Sequence, residues 1–370
     1  MAIIDRVKWG GVAFFLFSFL LYGEPVIYSG FSFSGRAEDQ AKTFPYLSQI
    51  AAAKSSDGTA WLDWLFRGLI WGNRELLTSI DLKAGSGSEA GSLKALAFAM
   101  TGERVSIEPV AGVYKCCINL SGQILILDYK TMMIVGSYPI VWEIIHVFND
   151  APKDADICAL LQGSQNGLQS EFFKKPIIDL LPHVAVKDYS GRNLRILKVE
   201  IGDEALPFLS ESCTNNQAAF KASIAEQCGA YMSSNLGLAL LPYVKDSANG
   251  KMTLAFSNSE IVMFTIPEPT YGISIRLDKF KKVSAKETLS ERLLVYGAYV
   301  TLKLYEPQFG TVYYENPTKI GVPKTVPMSQ TYIDDFSVFQ EALKNVLQKS
   351  AEEAMADKQA RKVLEKCKRS

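Results

Sequence analysis

The chain offers few residues for acid–base or nucleophilic chemistry, because it contains only two histidines, His146 and His183. Histidine is the commonest general base, and a serine or cysteine nucleophile depends on such a neighbour. His146 stands among large apolar residues in WEIIHVFND, which favours a place in the core. His183 follows Pro182 at the predicted end of a helix, where a cation interacts favourably with the helix dipole. Since no G-x-S-x-G, P-loop or G-x-G-x-x-G motif is present, the sequence predicts no catalytic residue.

Two cysteines and two aspartates are the other candidates for chemistry. Cys116 and Cys117 are adjacent in a predicted strand, and either could act as a nucleophile only if the fold brought a histidine close. Asp334 and Asp335 could form a general acid–base pair, but a helix follows them and a helix cap explains them equally well. Asn119 begins the sequon NLS, which matters only in a eukaryotic secretory pathway. None of these patterns identifies a reaction.

Cys213 and Cys228 are the best candidate pair for a disulfide. They bracket the start of a predicted helix, and a link between them would close a short loop and stabilise the fold by roughly 3 kcal/mol. Two buried free thiols are the alternative interpretation. A zinc site of standard spacing is not supported, because the chain has no C-x-x-C motif and only two imidazoles. The sequence therefore predicts neither a metal nor another cofactor.

Residues 1–34 are predicted to be a secretory signal peptide or an N-terminal membrane anchor. Arg6 and Lys8 precede an uncharged apolar core, Val12 to Tyr22, which is shorter than the roughly 20 residues that a membrane-spanning helix needs. We expect cleavage between about Gly30 and Gly35. An uncleaved anchor is one alternative, and a buried N-terminal helix of a cytosolic protein is another. The segment predicts an exported protein, periplasmic or extracellular, or one that contacts the membrane through this segment.

The charge balance excludes one class of partner. Lys+Arg and Asp+Glu each total 39, so the chain has no overall basic field for nucleic acid. The hydrophobic fraction of 48% and the charged fraction of 21% are those of an ordinary globular protein. The length of the chain suggests two domains.

Residues 35–92 are predicted to be a helical segment followed by a flexible Gly/Ser-rich linker, KAGSGSEAGS. In the helical segment, Trp61, Trp64 and Trp71 fall within one arc at helical pitch. Three tryptophans on one face could contact a membrane interface or a partner protein. Packing of this helix on the core is the alternative.

Two α+β domains are predicted after the linker. Residues 93–205 form the first, because GVYKCCINLSGQILILDYKTMMIVGSYPI is typical of three strands joined by tight turns. Residues 206–350 form the second, with a helix that opens on a capping box from Thr214 to Gln217, several strands and a closing amphipathic helix. Residues 351–370 are predicted to be a charged helical tail.

The fold class follows from the turns. Short turns between alternating segments demand antiparallel pairing, and the apolar face of each sheet must be covered. We therefore predict an α+β fold of mostly antiparallel sheets covered by amphipathic helices, in two related or adjacent domains. The helices should place Phe220, Ile224, Phe339 and Leu343 against Val300, Leu302 or Leu304.

Two hairpins resemble each other, ILILDYKTMMIVGSYP and LKLYEPQFGTVYYENP. Each is a strand, an acidic turn, a strand, an aromatic residue and a proline. The likeness suggests two related α/β units, and the common pattern of any hairpin is the alternative explanation.

The second half also resembles a known family. A capped helix, strands, the hairpin around EPQFG and a closing helix occur in this order over roughly Thr214 to Ser350. This order resembles the periplasmic α/β unit of the TolB amino-terminal domain and the curli-secretion channel family, in which the hairpin crosses a turn like D-x-x-T-G. Here only an acidic residue and Gly310 match that turn. The resemblance implies a non-catalytic envelope domain that assembles with partners, and it carries over no binding residues.

These observations predict an exported accessory or assembly protein of the cell envelope that acts by binding. Its partners would be envelope proteins or further copies of the chain. The alternative is an exported hydrolase of unrecognised type. That alternative requires a deep pocket in which His146 or His183 meets a carboxylate and a serine or cysteine.

Overall fold

A computed structural model describes residues 23–55, 58–83, 94–110, 112–163, 169–186, 192–243, 250–330 and 333–368. The apolar N-terminal segment before residue 23 and most of the Gly/Ser-rich linker lie outside these ranges. The strands are β1 (Glu24–Ser34), β2 (Ile80–Lys83), β3 (Lys94–Val110), β4 (Val113–Asp128), β5 (Met133–Phe148), β6 (Leu194–Ile201), β7 (Leu240–Leu241), β8 (Lys251–Phe256), β9 (Ile261–Thr265), β10 (Tyr271–Glu287), β11 (Glu291–Glu306) and β12 (Thr311–Pro327). The helices are α1 (Gln40–Thr43), α2 (Leu47–Ala52), α3 (Trp61–Gly72), α4 (Asp154–Gln162), α5 (Gln169–Leu180), α6 (Glu211–Asn215), α7 (Gln217–Leu236), α8 (Asp335–Ala356) and α9 (Lys358–Cys367).

All of these strands belong to one mixed sheet. Its order is β12-β11-β10-β6-β7-β5-β4-β3-β1-β8-β9, and β2 pairs with β1. The path also closes on itself, because Met133 of β5 pairs with Thr265 of β9. The predicted α+β class is confirmed, and both predicted meanders are antiparallel. The sequence did not reveal that the two halves share a single sheet.

The two halves repeat the same order of elements. In the first repeat, defined as residues 24–180, β1 is followed by α3, then by the meander β3-β4-β5 and by α5. In the second repeat, defined as residues 194–356, β6 is followed by α7, then by the meander β10-β11-β12 and by α8. The leading strand pairs in parallel with the first strand of its meander in both repeats. The two similar hairpins of the sequence hold the same place, β4–β5 and β11–β12, which favours their interpretation as related units.

The first repeat buries both faces of β3, and its sequence explains how. In the stretch ALAFAM, the large residues Leu96, Phe98 and Met100 point into the core under the helices. The intervening alanines, including Ala97, point into the smaller core that the closed path of strands surrounds. Alternation with a period of two therefore places large side chains on one face and small ones on the face with less room.

The second repeat is packed as the sequence predicts. Val300, Leu302 and Leu304 of β11 lie in one buried cluster with Phe220, Ile224, Phe339 and Leu343 of α7 and α8. The ring of Phe339 lies 5.2 Å from the ring of Tyr296 and 4.7 Å from the ring of Phe280, between centroids. The helix cap is not where the sequence placed it, because Asn216, not Thr214, accepts a hydrogen bond from the backbone N–H of Ala219.

Several strand pairings cross the predicted domain boundaries, which stay a prediction. Strand β6 was placed in the first domain but pairs with β10 of the second repeat. Strands β8 and β9 were placed in the second domain, but β8 pairs with β1 of the first repeat. The predicted C-terminal tail contains α9, which packs on the second repeat through Ala360, Val363, Leu364 and Cys367. Sequence-local patterns could not anticipate these pairings, because the paired strands lie far apart in the chain.

Strand β1 corrects the expected position of cleavage. Its residues Glu24–Ser34 lie inside the segment assigned to a signal peptide or anchor, yet β1 pairs with β3 on one side and with β2 and β8 on the other. Val26 and Phe31 are buried in the core. Cleavage between Gly30 and Gly35 would remove this strand from the middle of the sheet, so that expected site is incompatible with the fold. In the part of the chain that the structure describes, no helix is long and apolar enough to cross a membrane.

Candidate functional site

A groove lies between the two repeats, with a volume of about 1050 Å³. The first repeat contributes β3, β4, β5, α5 and the region of α1 to its lining. The second repeat contributes α7, α8 and one residue of β12. This inter-repeat groove exists only because the two repeats sit side by side on one sheet, so no local motif encodes it.

The floor of the groove includes a free strand edge. Strand β5 pairs with β4 along its whole length. On its other side the described residues provide only two pairings, Ser137 with Leu240 and Met133 with Thr265. From Pro139 to Phe148 no described strand pairs with this side, and much of this stretch lines the groove. We call this stretch the open edge of β5.

Helix α7 forms one wall, and several of the side chains that it presents to the groove are small. Its lining residues include Ala219, Ala222, Ser223, Ala230 and Ser234. Ala219, Ser223, Ala230 and Ser234 follow one another at spacings of four, seven and four residues, which places them along one side of the helix, and Ala222 lies beside this row. These short side chains leave room in the groove beside the helix.

Two contacts fix α7 against the first repeat. The hydroxyl of Thr101 in β3 donates a hydrogen bond of 2.9 Å to Glu226. Gly229 lies against Pro139, and a Cβ atom at this glycine would come within 3.3 Å of the proline ring. The absence of a side chain at Gly229 therefore permits the close approach between α7 and β5.

The charged residues of the groove carry both signs. Lys324 of β12 and Glu341 of α8 form an ion pair of 2.9 Å across two elements of the second repeat. A lining of mixed sign has no preference for a uniformly charged ligand and suits one with several polar groups. The charged lining residues are Asp39, Lys42, Glu103, Arg104, Glu143, Lys175, Asp179, Glu226, Lys324, Glu341 and Lys344.

Glu103 is an acid of the lining whose pKa is raised. Its two carboxylate oxygens accept hydrogen bonds of 3.0 Å from the backbone N–H groups of Tyr46 and Leu47, at the start of α2. Burial raises the pKa of Glu103 to about 7, although these two hydrogen bonds act in the opposite direction. This carboxyl group therefore changes its charge near neutral pH while it holds the start of a helix.

A second polar cluster connects the repeats. The ammonium of Lys115 in β4 contacts both Asp334 and the hydroxyl of Ser337 at the start of α8. Asp334 also accepts a hydrogen bond of 3.1 Å from the backbone N–H of Ser337, so it caps the helix. Burial raises the pKa of Asp334, but the hydrogen bonds from Lys115 and Ser337 outweigh burial and hold it below its usual value.

The neighbouring Asp335 has a different set of partners. It accepts a hydrogen bond of 2.6 Å from the hydroxyl of Tyr296 and pairs with Lys282 at 2.7 Å. The interpretation of the Asp334–Asp335 pair as a helix cap is therefore supported over a catalytic pair.

The fold brings one cysteine and one histidine together. Cys116 in β4 and His146 in β5 are directly opposite in the antiparallel register, so their side chains share a face. Cys116 is fully buried, and burial raises the pKa of its thiol to about 11. A nucleophilic cysteine needs a lowered pKa, so this thiol is in the wrong state for catalysis. His183 lies beside Gly237 at the end of α7, and neither histidine lines the groove.

The predicted disulfide is absent. Cys213 in α6 and Cys228 in α7 are both free thiols, as are the other four cysteines, all of which lie in described ranges. Both are buried in the core of the second repeat. Burial raises the pKa of Cys228 to about 12. These two cysteines act as small apolar side chains that fill the core under α6 and α7.

None of the three tryptophans of α3 lines the groove, and only Trp64 lies fully on the outer side of the helix, because Trp61 and Trp71 also pack against the edge of the core. Trp64 is 47% exposed, and Trp61 and Trp71 are half-buried. The guanidinium of Arg74 stands 5.9 Å from the centre of the Trp71 ring. The core-facing side of α3 consists instead of the residues Leu62, Asp63, Leu65, Phe66, Leu69 and Ile70.

The orientation of α3 over β1 defines where its tryptophans lie. Asp63 accepts a hydrogen bond of 2.9 Å from the backbone N–H of Phe31, and Arg67 stands 5.6 Å from the ring centre of Tyr28. Later residues of α3 therefore contact earlier residues of β1, so the helix runs antiparallel to the strand. The Trp71 end of α3 lies at the end of the sheet where β1 begins, next to the attachment of the apolar N-terminal segment.

Comparisons with known proteins find only partial likeness. No family model and no curated protein matches the chain. A Helicobacter pylori protein described as a neuraminyllactose-binding hemagglutinin homolog is 15% identical, with a TM-score of 0.28, and the match covers 50% of this chain and 97% of that one. A minor lipoprotein from Acinetobacter baumannii is 10% identical, with a TM-score of 0.23 and coverage of 46% and 94%. Rare lipoprotein B from Shewanella oneidensis is 13% identical, with a TM-score of 0.21 and coverage of 44% and 94%.

The neighbours in this comparison include bacterial lipoproteins. Likeness at this level assigns neither a family nor a ligand to the chain. The resemblance of the second half to the TolB and curli-secretion families stays a prediction.

Proposed function

We propose that the protein is an exported accessory or assembly protein of the cell envelope that binds a partner in the inter-repeat groove. The observation that carries this proposal is the groove itself, about 1050 Å³ in volume and walled by both repeats. Pockets for small molecules measure roughly 300–1,000 Å³, so the volume of this groove stands at the upper end of that range. The apolar segment Val12 to Tyr22 supports export.

The composition of the lining supports binding over hydrolysis. The groove contains small side chains on α7 and charges of both signs, but neither of the two histidines. Cys116 and His146, which face each other across two strands, lie elsewhere, and burial raises the pKa of this thiol to about 11. An exported hydrolase remains the less supported alternative.

A pair of neighbouring positions on α7 tests the groove. Ala219 lines the groove, whereas Ala218 is exposed on the outside of the same turn. A photo-crosslinking amino acid at position 219, in cells of the native host, should give an adduct that mass spectrometry identifies. The same residue at position 218 should not give this adduct.

The identified partner and the protein should then bind as purified components. Ala219→Trp should weaken this binding at least tenfold because the indole fills the groove, while Ala218→Trp should leave it within twofold. If both tryptophan variants bind equally well, the groove is not the binding site.

The N-terminus of the mature protein tests export. Because β1 is part of the sheet, we expect either an intact anchor or a new N-terminus no later than Glu24. Mass spectrometry of protein isolated from its native envelope measures this directly. Recovery of the intact chain from a soluble cytosolic fraction would contradict export.

We also propose that the outer face of α3 contacts the membrane surface. The Trp71 end of this helix lies beside the start of β1, which the apolar segment precedes, and Arg67 and Arg74 flank the tryptophans. Tryptophan and arginine are favoured at membrane interfaces and beside anionic lipids.

Lipid quenching tests this contact in the full chain. A fluorescent label on Trp64→Cys should be quenched by brominated lipids in vesicles of phosphatidylcholine and phosphatidylglycerol. The same label on Phe309→Cys should not be quenched, because Phe309 is exposed in the distant β11–β12 turn. Equal quenching at the two positions would rule out an oriented contact.

A further inference from the structure

We propose that the open edge of β5 binds an extended peptide segment of the partner as an added β-strand. This inference rests on the proposed function, because it names the chemistry of the ligand in the groove. A free strand edge presents alternating N–H and C=O groups, and another extended backbone is the ligand that complements them.

The register indicates which backbone groups of β5 point outward. A proline fits a strand only where its nitrogen faces away from the neighbouring strand, because it has no N–H to give to the ladder. Pro139 pairs with Gln123 of β4, and the register continues without a shift to Phe148. The odd-numbered residues therefore direct their backbone groups away from β4 and toward the groove side.

Four N–H groups are available on this edge, those of Val141, Glu143, Ile145 and Val147. Among the described residues, no hydrogen bond of a turn, loop or side chain reaches the backbone of these four. Burying such groups against anything but a hydrogen-bonding partner would be costly, so the groove favours a ligand that satisfies them.

The side chains of the open edge favour the same ligand. Ile145 is 56% exposed and Val147 is 54% exposed, which is unusual for two apolar residues that follow each other on one face of a strand. An added strand would place its own alternate side chains beside them and remove apolar surface from water. The partner segment should therefore be extended and carry apolar residues at every second position.

The second repeat shows how an unpaired strand edge can be protected from strand addition. Its outer strand β12 pairs only with β11 among the described strands, so its other side is also free. The register of β12 with β11 has no shift from Tyr314 onward. Three prolines therefore stand at odd-numbered positions that face the same side of the strand, Pro317, Pro323 and Pro327. All three therefore remove an outward N–H group, and Lys319 adds a charge between the first two. Prolines and lysines are the features that prevent strand addition at an edge.

The recessed position of the open edge favours a peptide over a second copy of the chain. The first half of the open edge lies in a groove whose walls include α5 and α7. A second copy would bring the same walls beside its own β5, which disfavours pairing of the two edges along this first half. A single extended segment of ten residues, about 33 Å long, needs no such clearance.

Selective N-methylation of a peptide tests strand addition on the unmodified protein. The probe is a decapeptide of alternating valine and threonine, with a lysine at each end for solubility. Two isomers carry N-methyl groups on either the odd or the even residues, and each isomer loses the N–H groups of one edge only. The peptide should bind, one isomer should bind at least tenfold more weakly, and the other should stay within twofold. Equal affinities of the two isomers, or no binding by any peptide, would overturn the proposal.

Matched prolines test the same edge from the protein side. Ile145→Pro removes an outward N–H of β5 and should weaken peptide binding at least tenfold. Thr325→Pro makes the same change on the outer edge of β12 and should leave binding within twofold. If circular dichroism shows that Ile145→Pro is unfolded, the comparison of the two N-methylated peptides on the unmodified protein still tests strand addition.

The outcomes separate the two proposals. If the isomers bind equally but Ala219→Trp blocks the partner, the groove is the binding site and strand addition is wrong. If Ala219→Trp has no effect, the proposed function fails whatever the isomers do. A dimer in sedimentation velocity that Ile145→Pro dissociates would assign the open edge to a second copy and overturn the peptide proposal.

Discussion

The outer strands of the two repeats, β5 and β12, hold the same place at the end of a meander, yet their free edges differ. Strand β12 carries three prolines of one parity and a lysine between two of them. Strand β5 carries Pro139 at the start of its free stretch and then four outward N–H groups. Because the topology is the same, the difference lies in the choice of side chains. It teaches that one edge is protected from strand addition while the other is left available.

The repeats also differ in what covers them. Helices α8 and α9 pack on the meander of the second repeat. In the first repeat, α3 and α5 cover one face of the sheet, and α7 of the second repeat approaches β5 from the other repeat. The first repeat thus depends on the second for one wall of its groove.

The largest expected effect is the loss of a buried side chain in either repeat. Ile124 and Leu302 each stand four residues before the end of their strand, and both are fully buried. Ile124→Ala and Leu302→Ala should each lower the free energy of unfolding by about 2–5 kcal/mol. Chemical denaturation measures this, and both variants should unfold in one transition because the repeats share one sheet.

A fully exposed leucine is the control for these two variants. Leu289 lies in the β10–β11 turn, and Leu289→Ala should change the free energy of unfolding by less than about 0.5 kcal/mol. A loss below about 1 kcal/mol in only one of the two buried variants would mean that the repeats are not packed equivalently.

The next effect concerns the contact between the repeats. Asp334 and Asp357 both cap a helix, but only Asp334 also pairs with Lys115 of the first repeat. Asp357→Ala should lower the free energy of unfolding by about 1 kcal/mol. Asp334→Ala should lower it by roughly 2 kcal/mol or more, because this change also leaves the half-buried ammonium of Lys115 without its carboxylate.

A double-mutant cycle with Lys115→Met isolates the contribution of the pair. The lowered pKa of Asp334 gives the sign of the pH dependence. The stability that this carboxylate adds is present above its pKa in the unfolded chain, and it is lost as the pH falls through its pKa in the folded protein. Equal costs for the two aspartates at neutral pH would mean that the pair does not connect the repeats.

A smaller effect distinguishes the first repeat by its pH dependence. The pKa of Glu103 is raised from 4.5 to about 7, so the folded state binds more protons than the unfolded state between these values. Stability should therefore fall as pH rises from about 5 to 7, by on the order of 1–3 kcal/mol for this group. Glu103→Gln should flatten this slope, and Glu143→Gln, an exposed acid in the same groove, should not. An unchanged slope in Glu103→Gln would exclude this carboxyl as its source.

The sequence predicted the parts of the fold that local patterns encode. Alternation in GVYKCC and LLVYGAYV gave both meanders, and the apolar stripe of Phe339 and Leu343 gave the closing helix. The sequence does not predict β1 as a strand. Its apolar residues follow closely on the apolar segment before Glu24, so the two together resemble a single signal peptide or anchor. The shared sheet was missed because β6 and β8 find their partners far away in the chain.

The candidate site was less accessible to sequence reasoning. The groove forms between two repeats, and its lining mixes small, charged and large apolar residues such as Trp142, with no motif among them. One signal was present in the sequence, namely the three prolines of TVYYENPTKIGVPKTVP against the single proline of MIVGSYPIVWEIIHVF. Its meaning depends on knowing that both segments are outer strands, and only the structure supplies that.

Hydrogen exchange at β5 is the most direct test of the central claim. In the free protein, the amides of Val141, Glu143, Ile145 and Val147 should exchange rapidly, while the amides between them, bonded to β4, should be protected. Adding the valine–threonine decapeptide should protect the four outward amides and leave the amides of β12 unchanged. If the outward amides are already protected without the peptide, or stay unprotected with it, the edge of β5 is not an acceptor for a strand.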